Sequence, residues 1–314
     1  MRKSRIINTI LVLLLLIGLS LLLYPSFSDY WNKSVQTRAI ATYVEDLGNQ
    51  DQERFDEMLD KAREWNERHT AEEKGTEKIL TDEEMEEYNS LLDPMDSGMM
   101  GYIEIPSISV FLPLYHGTSD AVLQTAVGHL EWSSFPVGGE STHCVLSGHR
   151  GLPSARLFTD LDRLTVGDTF EITVLGKTLV YSVDLINVVK PSDLRTLKVF
   201  EGKDYVTLVT CTPYGVNTHR LLVRGQRMEN IPDDVLHFTS EAMIVDSKIV
   251  SIIIAAPVLL LLLIYVMLFG GNSSEAERER IKRAALKAMH GNSGLQIEGV
   301  SSDPDEKWTI DKKK

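Results

Sequence analysis

"TLVTCTPYGVNTHRLLVRG", residues 207–225, decides how this chain is read. The run from Tyr205 to Thr210 alternates and is rich in Val and Thr, so it reads as a strand. The run from His219 to Arg227 reads the same way. Between them, Pro213, Gly215 and Asn217 make a turn-forming loop. Cys211 therefore stands where one strand ends, and Arg220 where the next begins. Loops held by a rigid sheet are a common place for catalytic residues, and Cys211 is one of only two cysteines in the chain.

Upstream the same pattern repeats. "YIEIP", "VFLPLY", "HCVLSG", "TFEITVLG" and "TLVYSVDLINVV" are short β-like runs, separated by turn signals such as "VGG" and "VGD". With the two runs around Cys211 they form a mainly β region over residues 100–230, of the barrel or sandwich type. Before it, residues 24–99 are rich in Glu, Asp, Lys, Arg and Gln and are interrupted by Gly48 and Gly75. They read as about two helices packed on something else, ending in a loop.

The flanks are apolar. Residues 6–23 follow a short basic start with Arg2, Lys3 and Arg5, and residues 249–269 carry no charge. At about 1.5 Å per residue, each comes close to the roughly 30 Å of a bilayer core. The first reads as a signal anchor, although "SFS" at 26–28 also offers a cleavage site. The second reads as a transmembrane helix reached through a linker, 231–248. Basic flanks stay cytoplasmic. This puts residues 1–5 and the tail, 270–314, with Arg278, Arg280, Lys282, Arg283 and Lys287, inside the cell and the β region outside. The tail begins as a polar helix over 275–289, and residues 291–314 read as disordered. A net charge of −13 over 314 residues argues against nucleic-acid binding, which needs a basic footprint.

An external thiol outside a disulfide needs a reason. Cys144 and Cys211 could pair, since an oxidising compartment permits it. Strand alternation points the other way. In "HCVLSGH", Cys144, Leu146 and Gly148 share one face, while His143, Val145, Ser147 and His149 share the other. Cys144 then reads as a small buried hydrophobe. Cys211 can be a nucleophile if a base and an oxyanion donor accompany it. "SGHRG", 147–151, puts His149 at another strand end, flanked by glycines, and Arg220 carries a planar fork of donors. His116, His129, His143 and His219 compete for the histidine role. The sequence has neither Cys-x-x-Cys nor His-x-x-x-His spacing, so neither a metal nor a cofactor is expected.

These blocks carry a resemblance. "LVTCTPYGVNTHRLLVRG", "HCVLSGHRGLPSARLFTDLDRLTVGD" and "YHGTSDAVLQTAVGHLEWSSFPVGG" resemble the class C, pilus-specific sortases of Gram-positive bacteria, over essentially residues 1–270. The resemblance implies an eight-stranded β-barrel with N-terminal helices. It implies Cys211 as nucleophile, His149 as acid/base and Arg220 as the carbonyl and oxyanion partner. It also implies a lid with an Asp-Pro-aromatic motif, matched here by "LLDPMDSG", 91–98, with Asp93, Pro94 and Met95 in place of the aromatic. Asp93 is expected to pair with Arg220 and Met95 to lie over Cys211.

The implied reaction is transpeptidation. An LPxTG-like sorting signal is cut between Thr and Gly and joined to an amine, which in class C is a pilin lysine. Its partners are then pilin subunits bearing such signals, at the extracellular face of the membrane. Two alternatives stand beside this. One is a housekeeping-type sortase attaching surface proteins to cell-wall peptide. The other is a non-catalytic membrane ectodomain that binds a surface partner. The topology can be tested directly. On intact protoplasts, a labelling reagent should reach residues near Glu140 and be kept from residues near Arg283; the reverse pattern would overturn the reading from basic flanks.

Overall fold

The computed structural model describes residues 2–48, 52–72, 79–229, 260 and 279–287. Residues 16–244 form one unit, and residues 1–15 with 245–314 form another. Within the second of these, 279–287 are helical. The apolar segment 249–269, apart from helical Leu260, the linker 231–248, and 291–314 lie outside the described residues.

The barrel is built from β1 (Met99–Ile105), β2 (Val110–His116), β3 (Val127–His129), β4 (Thr142–Ser147), β5 (Thr169–Val174), β6 (Lys177–Val189), β7 (Asp204–Thr212) and β8 (His219–Arg227). It closes in the order β1-β2-β3-β4-β7-β8-β6-β5. Seven of these strands coincide with the runs read from sequence. The eighth, β3, is three residues long and leaves no alternation to detect. Most neighbours are antiparallel, but β2 pairs with β3, and β4 with β7, in parallel.

Alternation sorts the side chains. Cys144 and Leu146 of β4, Val206 and Leu208 of β7, and Leu221 and Val223 of β8 belong to the main core. Val145, Val209 and Leu222, the intervening residues, form a second apolar cluster with Val189 and Leu197 on the outer face. The two faces of "HCVLSGH" are those the sequence implies. Both cysteines are free thiols, and Cys144 is buried in the core. Close strand packing also dictates Gly101, where a Cβ would stand 2.0 Å from the Thr173 carbonyl oxygen.

Three helices dock on the barrel: α1 (Arg2–Gly48), α2 (Gln52–Glu72) and α3 (Asp82–Ser90), with a single turn, α4 (Asp120–Leu123), before β3. The sequence reading breaks the chain at residue 23; the structure continues one helix from the apolar segment through Gly48, with Pro25 inside it. Nothing between 23 and 48 stops a helix except that proline, and Pro25 is tolerated within it. Residues 10–48 are long and apolar enough, over their N-terminal part, to cross a membrane. Helix α2 buries Phe55, Leu59, Ala62 and Trp65, a helical stripe. Asn66 ties it to the barrel twice, donating to Phe135 O at 3.1 Å and accepting from Phe135 N at 2.7 Å. Helix α3 begins at a Thr81–Glu84 capping box and buries Tyr88.

Two of the competing histidines are structural. The Tyr88 hydroxyl lies 2.9 Å from His129 Nδ1, and His129 Nε2 lies 2.9 Å from Ser134 O. A carbonyl only accepts, so Nε2 carries the proton and Nδ1 accepts from Tyr88. His143 has the mirror arrangement, Nδ1 donating to Lys198 O and Nε2 accepting from Thr207, both at 2.7 Å. Burial holds both rings neutral, lowering His129 to about 3 and His143 to about 4. An unfolded histidine titrates near 6.5. Below that pH the unfolded chain binds more protons than the folded one, so this stability is complete above about pH 6.5 and lost as pH falls toward 4. Each histidine should steepen the fall by up to about 1.4 kcal/mol per pH unit. Thermal melts from pH 7.5 to 4.5 should show it, with a shallower slope in His143→Asn; an unchanged slope would separate His143 from the acid sensitivity.

Candidate active site

Cys211 lies one residue before the end of β7, directly opposite Arg220 in the antiparallel register with β8. Residues opposed in this way present their side chains on the same face. That face is the outer one, because Cys211 is in step with Val209 and Arg220 with Leu222. His149 follows β4 by two residues. The parallel β4–β7 pairing is continued past Ser147 by Gly148 N, which donates to Val209 O at 3.1 Å. Thr210 Oγ1 donates in turn to Gly148 O at 2.7 Å. His149 therefore leaves the sheet beside Cys211, in step with Val145 and Ser147 on the outer face. The three residues come together at neighbouring strand ends from 62 and 71 positions apart in sequence.

The loop after His149 is closely held. Gly148 is required there: a Cβ would stand 2.6 Å from the buried Phe158 ring. Phe158 N donates to His149 O at 3.1 Å, closing the loop on its own root. Arg150, whose side chain is only 8% exposed, is ion-paired with Asp162. Its Nη1 donates to Thr212 Oγ1 at 3.2 Å. Arg150 thus ties the His149 loop to the residue next to Cys211, and its buried Nε is without a partner. Sequence reasoning passed over Arg150, Asp162 and Thr212. Their only signal was position beside His149 and Cys211, because a contact between residues 62 apart is invisible before folding.

The electrostatics separate the two thiols. Cys144 is inside the barrel, and burial pushes its thiol well above the ordinary cysteine range, which keeps it protonated and unreactive. Cys211 is partly exposed at the open end of a strand. Arg220 uses one nitrogen locally, Nη1 donating to Asn217 O at 3.4 Å and His219 O at 3.2 Å. Among the described residues, its Nε and Nη2 carry no partner. Neither the Cys211 thiol nor the His149 ring is hydrogen-bonded to another described residue. The register brings the three residues to neighbouring strand ends, and among the described residues no hydrogen bond joins their side chains.

Beside the trio lies the outer apolar cluster of Val145, Val189, Leu197, Val209 and Leu222. Leu130 and Trp132, from the β3–β4 connection, and Leu194, from the β6–β7 connection, pack against it. This gives that end of the barrel an apolar floor that is itself buried, with Leu130, Trp132 and Leu194 partly exposed over it.

The remaining histidines are engaged elsewhere. His219 Nδ1 is 2.9 Å from Thr218 Oγ1. His116 Nδ1 is 3.0 Å from Gly98 O and its Nε2 2.7 Å from Leu91 O. Those two carbonyls are the ends of the 91–98 loop; burial lowers the pKa of His116, and its neutral ring donates to one of them.

The residues of the 91–98 loop make local contacts. Asp93 and Arg220 form no ion pair. The Asp93 carboxylate instead accepts from Ser97 N and Gly98 N, both at 2.9 Å. Met95 packs against the cluster of Ile40, Tyr43 and Met99, between α1 and the barrel, and Pro94 is buried. The physical reason is local. A short carboxylate beside unpaired backbone N–H groups bonds to them at little entropic cost. Residues 91–98 are a latch between the helices and β1.

A family model described as "Sortase domain" matches residues 103–228. Sortase C1 from Streptococcus agalactiae is 54% identical, with a TM-score of 0.60, and the match covers 62% of this chain and 100% of that one. The sortase C of Streptococcus pneumoniae, whose structure is described with reference to catalysis and pilin substrate specificity, is 40% identical. Its TM-score is 0.56, over 62% of this chain and 99% of that one. Sortase D of Bacillus subtilis (strain 168) is 29% identical over 131 residues, 41% of this chain. The chain spans 63% of that relative's length.

The Arg150 tie can be tested by stability. Arg150→Met keeps most of the stem but strands Asp162 and frees Thr212, and should cost about 2 kcal/mol in chemical denaturation, the scale for a partly buried charged pair. An unchanged midpoint would show that the tie does not hold the loop.

Proposed function

This chain belongs to the sortase family, among its class C members, and from that membership we propose that it is a cysteine transpeptidase acting on LPxTG-like sorting signals. The observation that carries the proposal is the register of β7 against β8, with Cys211 opposite Arg220 and His149 entering beside them on one face. The chemistry needs those three groups together. The Cys211 thiolate attacks the threonine carbonyl carbon, and the oxygen takes up negative charge. Arg220, with N–H groups to spare, donates to that oxyanion. Protonated His149 gives its proton to the departing glycine amine as the C–N bond breaks, which leaves a thioester on Cys211. An incoming amine then attacks the thioester, loses a proton to His149 and forms the new amide, and the Cys211 thiolate leaves.

The apolar floor supports the substrate class. The partly exposed Leu130, Trp132 and Leu194, packed over the buried Val and Leu cluster, offer apolar contact for the Leu and Pro of a sorting signal. Pilin lysine as the resolving amine is supported by the likeness to the Streptococcus pneumoniae enzyme, described in terms of pilin substrates. Helix α1 supports anchoring in the membrane, and an extracellular barrel rests on the basic flanks of the apolar segments alone.

The test is a peptide carrying an LPxTG-like signal, offered with a lysine-bearing pilin peptide or a cell-wall peptide as the amine. Cleavage with transfer to the pilin lysine is the expected result; transfer to cell-wall peptide alone would make it a housekeeping-type enzyme. Cys211→Ala should abolish both cleavage and the thioester seen by mass spectrometry, while Cys144→Ala should leave turnover largely unchanged. Arg220→Lys keeps the charge but loses the planar fork, and should lower turnover by about 10²-fold. Retained cleavage in Cys211→Ala would remove that residue from the mechanism.

A further inference from the structure

We propose that the barrel stands with its catalytic end against the membrane, where Phe27, Tyr30 and Trp31 of α1 and Tyr214 and Val216 of the β7–β8 loop form a surface that contacts lipid headgroups. The proposal rests on α1 being the membrane anchor. What it adds is the orientation of the barrel, which follows from contacts along that helix.

One face of α1 grips the barrel at successive heights. Nearest the apolar segment, the Asp29 carboxylate accepts from Arg156 N at 2.7 Å. One turn on, Asn32 Nδ2 donates to Ser154 O at 2.8 Å. Gln36 Nε2 then donates to Thr125 O at 2.7 Å. Farthest along, the Tyr43 hydroxyl donates to Met100 O at 2.7 Å and accepts from Leu175 N at 2.9 Å. The spacing is that of one helical face. From Asp29 to Tyr43 the helix rises about 21 Å. Its lower contacts fall on residues 154–156, in the loop that begins at His149. Its upper contacts fall on the start of β1 and the β5–β6 turn. That turn is at the far end of the barrel from Cys211, because β6 begins opposite the end of β8 and reaches Val189 opposite Arg220. The helix therefore points the catalytic end toward residues 16–23, the apolar start of this unit.

The height is also fixed. Asp29 lies six residues beyond Leu23, about 9 Å along the helix, close to the depth of a headgroup layer. At that level α1 turns Phe27, Tyr30 and Trp31 away from the barrel, 66%, 58% and 63% exposed. Aromatic side chains of this kind concentrate at membrane interfaces. The β7–β8 loop lies at the same end. Tyr214 packs over Gly151 of the His149 loop, where an added Cβ would come within 2.9 Å of its ring. Tyr214 and Val216 are nevertheless 61% and 64% exposed. A single exposed apolar residue is ordinary. Here two of them share the membrane-facing end with three interfacial aromatics. A substrate segment emerging from the same bilayer would then meet Cys211 without passing round the barrel.

The test uses the full chain in nanodiscs, in a Cys211→Ala background so that the buried Cys144 is the sole native thiol. Single cysteines are added as Leu16→Cys, Val216→Cys or Lys177→Cys and labelled with an environment-sensitive dye. An acyl-chain nitroxide lipid probes Leu16→Cys, and a headgroup nitroxide lipid probes the other two. Expected is loss of most dye emission at 16 and at 216, and little loss at 177 in the β5–β6 hairpin. Quenching at 16 but equal, weak quenching at 216 and 177 would overturn the orientation and leave the anchor standing. No quenching at 16 would overturn the anchor reading, and the proposal with it.

Discussion

The parallel pairing of β4 with β7 is the constraint on which the site depends. Parallel neighbours cannot be joined by a tight turn, so the chain must leave β4, travel through β5 and β6, and return. In return, both strands end at the same edge of the barrel, with residues of the same parity on the same face. His149 and Cys211 inherit that arrangement from the register Ser147↔Val209. An antiparallel pairing would place one of them at the opposite end. The β7–β8 hairpin then supplies Arg220 from the shortest possible distance, directly across from Cys211.

The crossover that this pairing demands is not idle. Its first part, residues 148–163, is the loop rooted on His149 and held by Gly148, Phe158, Arg150 and Asp162. Its last part brings Leu194 and Leu197 against the outer face and so completes the apolar floor. The same excursion donates backbone groups at 154–156 to the helix α1. One loop thus holds the histidine, the apolar cluster borders its return, and helix α1 grips its middle.

Polar contacts do the work of specificity around an otherwise apolar core. Tyr88, His129 and Phe135 stack in an aromatic seam between the helices and the barrel, with Trp65 tilted against its edge, and the Tyr88 hydroxyl and both His129 ring nitrogens have partners. Such a seam fixes one docking geometry, since a shifted register would leave Asn66 or His129 buried and unpaired. The ring nitrogens of His129 are committed to that seam, and those of His143 to Lys198 and Thr207. His149 is the exception, at a strand end with its ring uncommitted among the described residues.

Much was legible in the sequence, and for a definite reason. Period-two alternation around Cys211 and Cys144 is a local property, so it assigned seven strands, the inward Cys144 and the outward His149 without any long-range information. The strand ends at Cys211 and Arg220 were readable because Pro213, Gly215 and Asn217 stop strands locally. The 91–98 loop could not be read this way. Asp93 had two possible partners, and only the folded chain shows that Ser97 N and Gly98 N lie within its reach while Arg220 does not pair with it. The three-residue β3 was too short to alternate, and the Arg150–Asp162–Thr212 tie joins segments that only the β4–β7 pairing brings together. The sequence by itself determined the strands, their faces and the candidate trio, because side-chain polarity and turn chemistry act over a few residues. The tertiary structure alone decided which strand ends meet, which carboxylate pairs with what and which way the barrel faces along α1, because those depend on closure of the sheet across the whole chain.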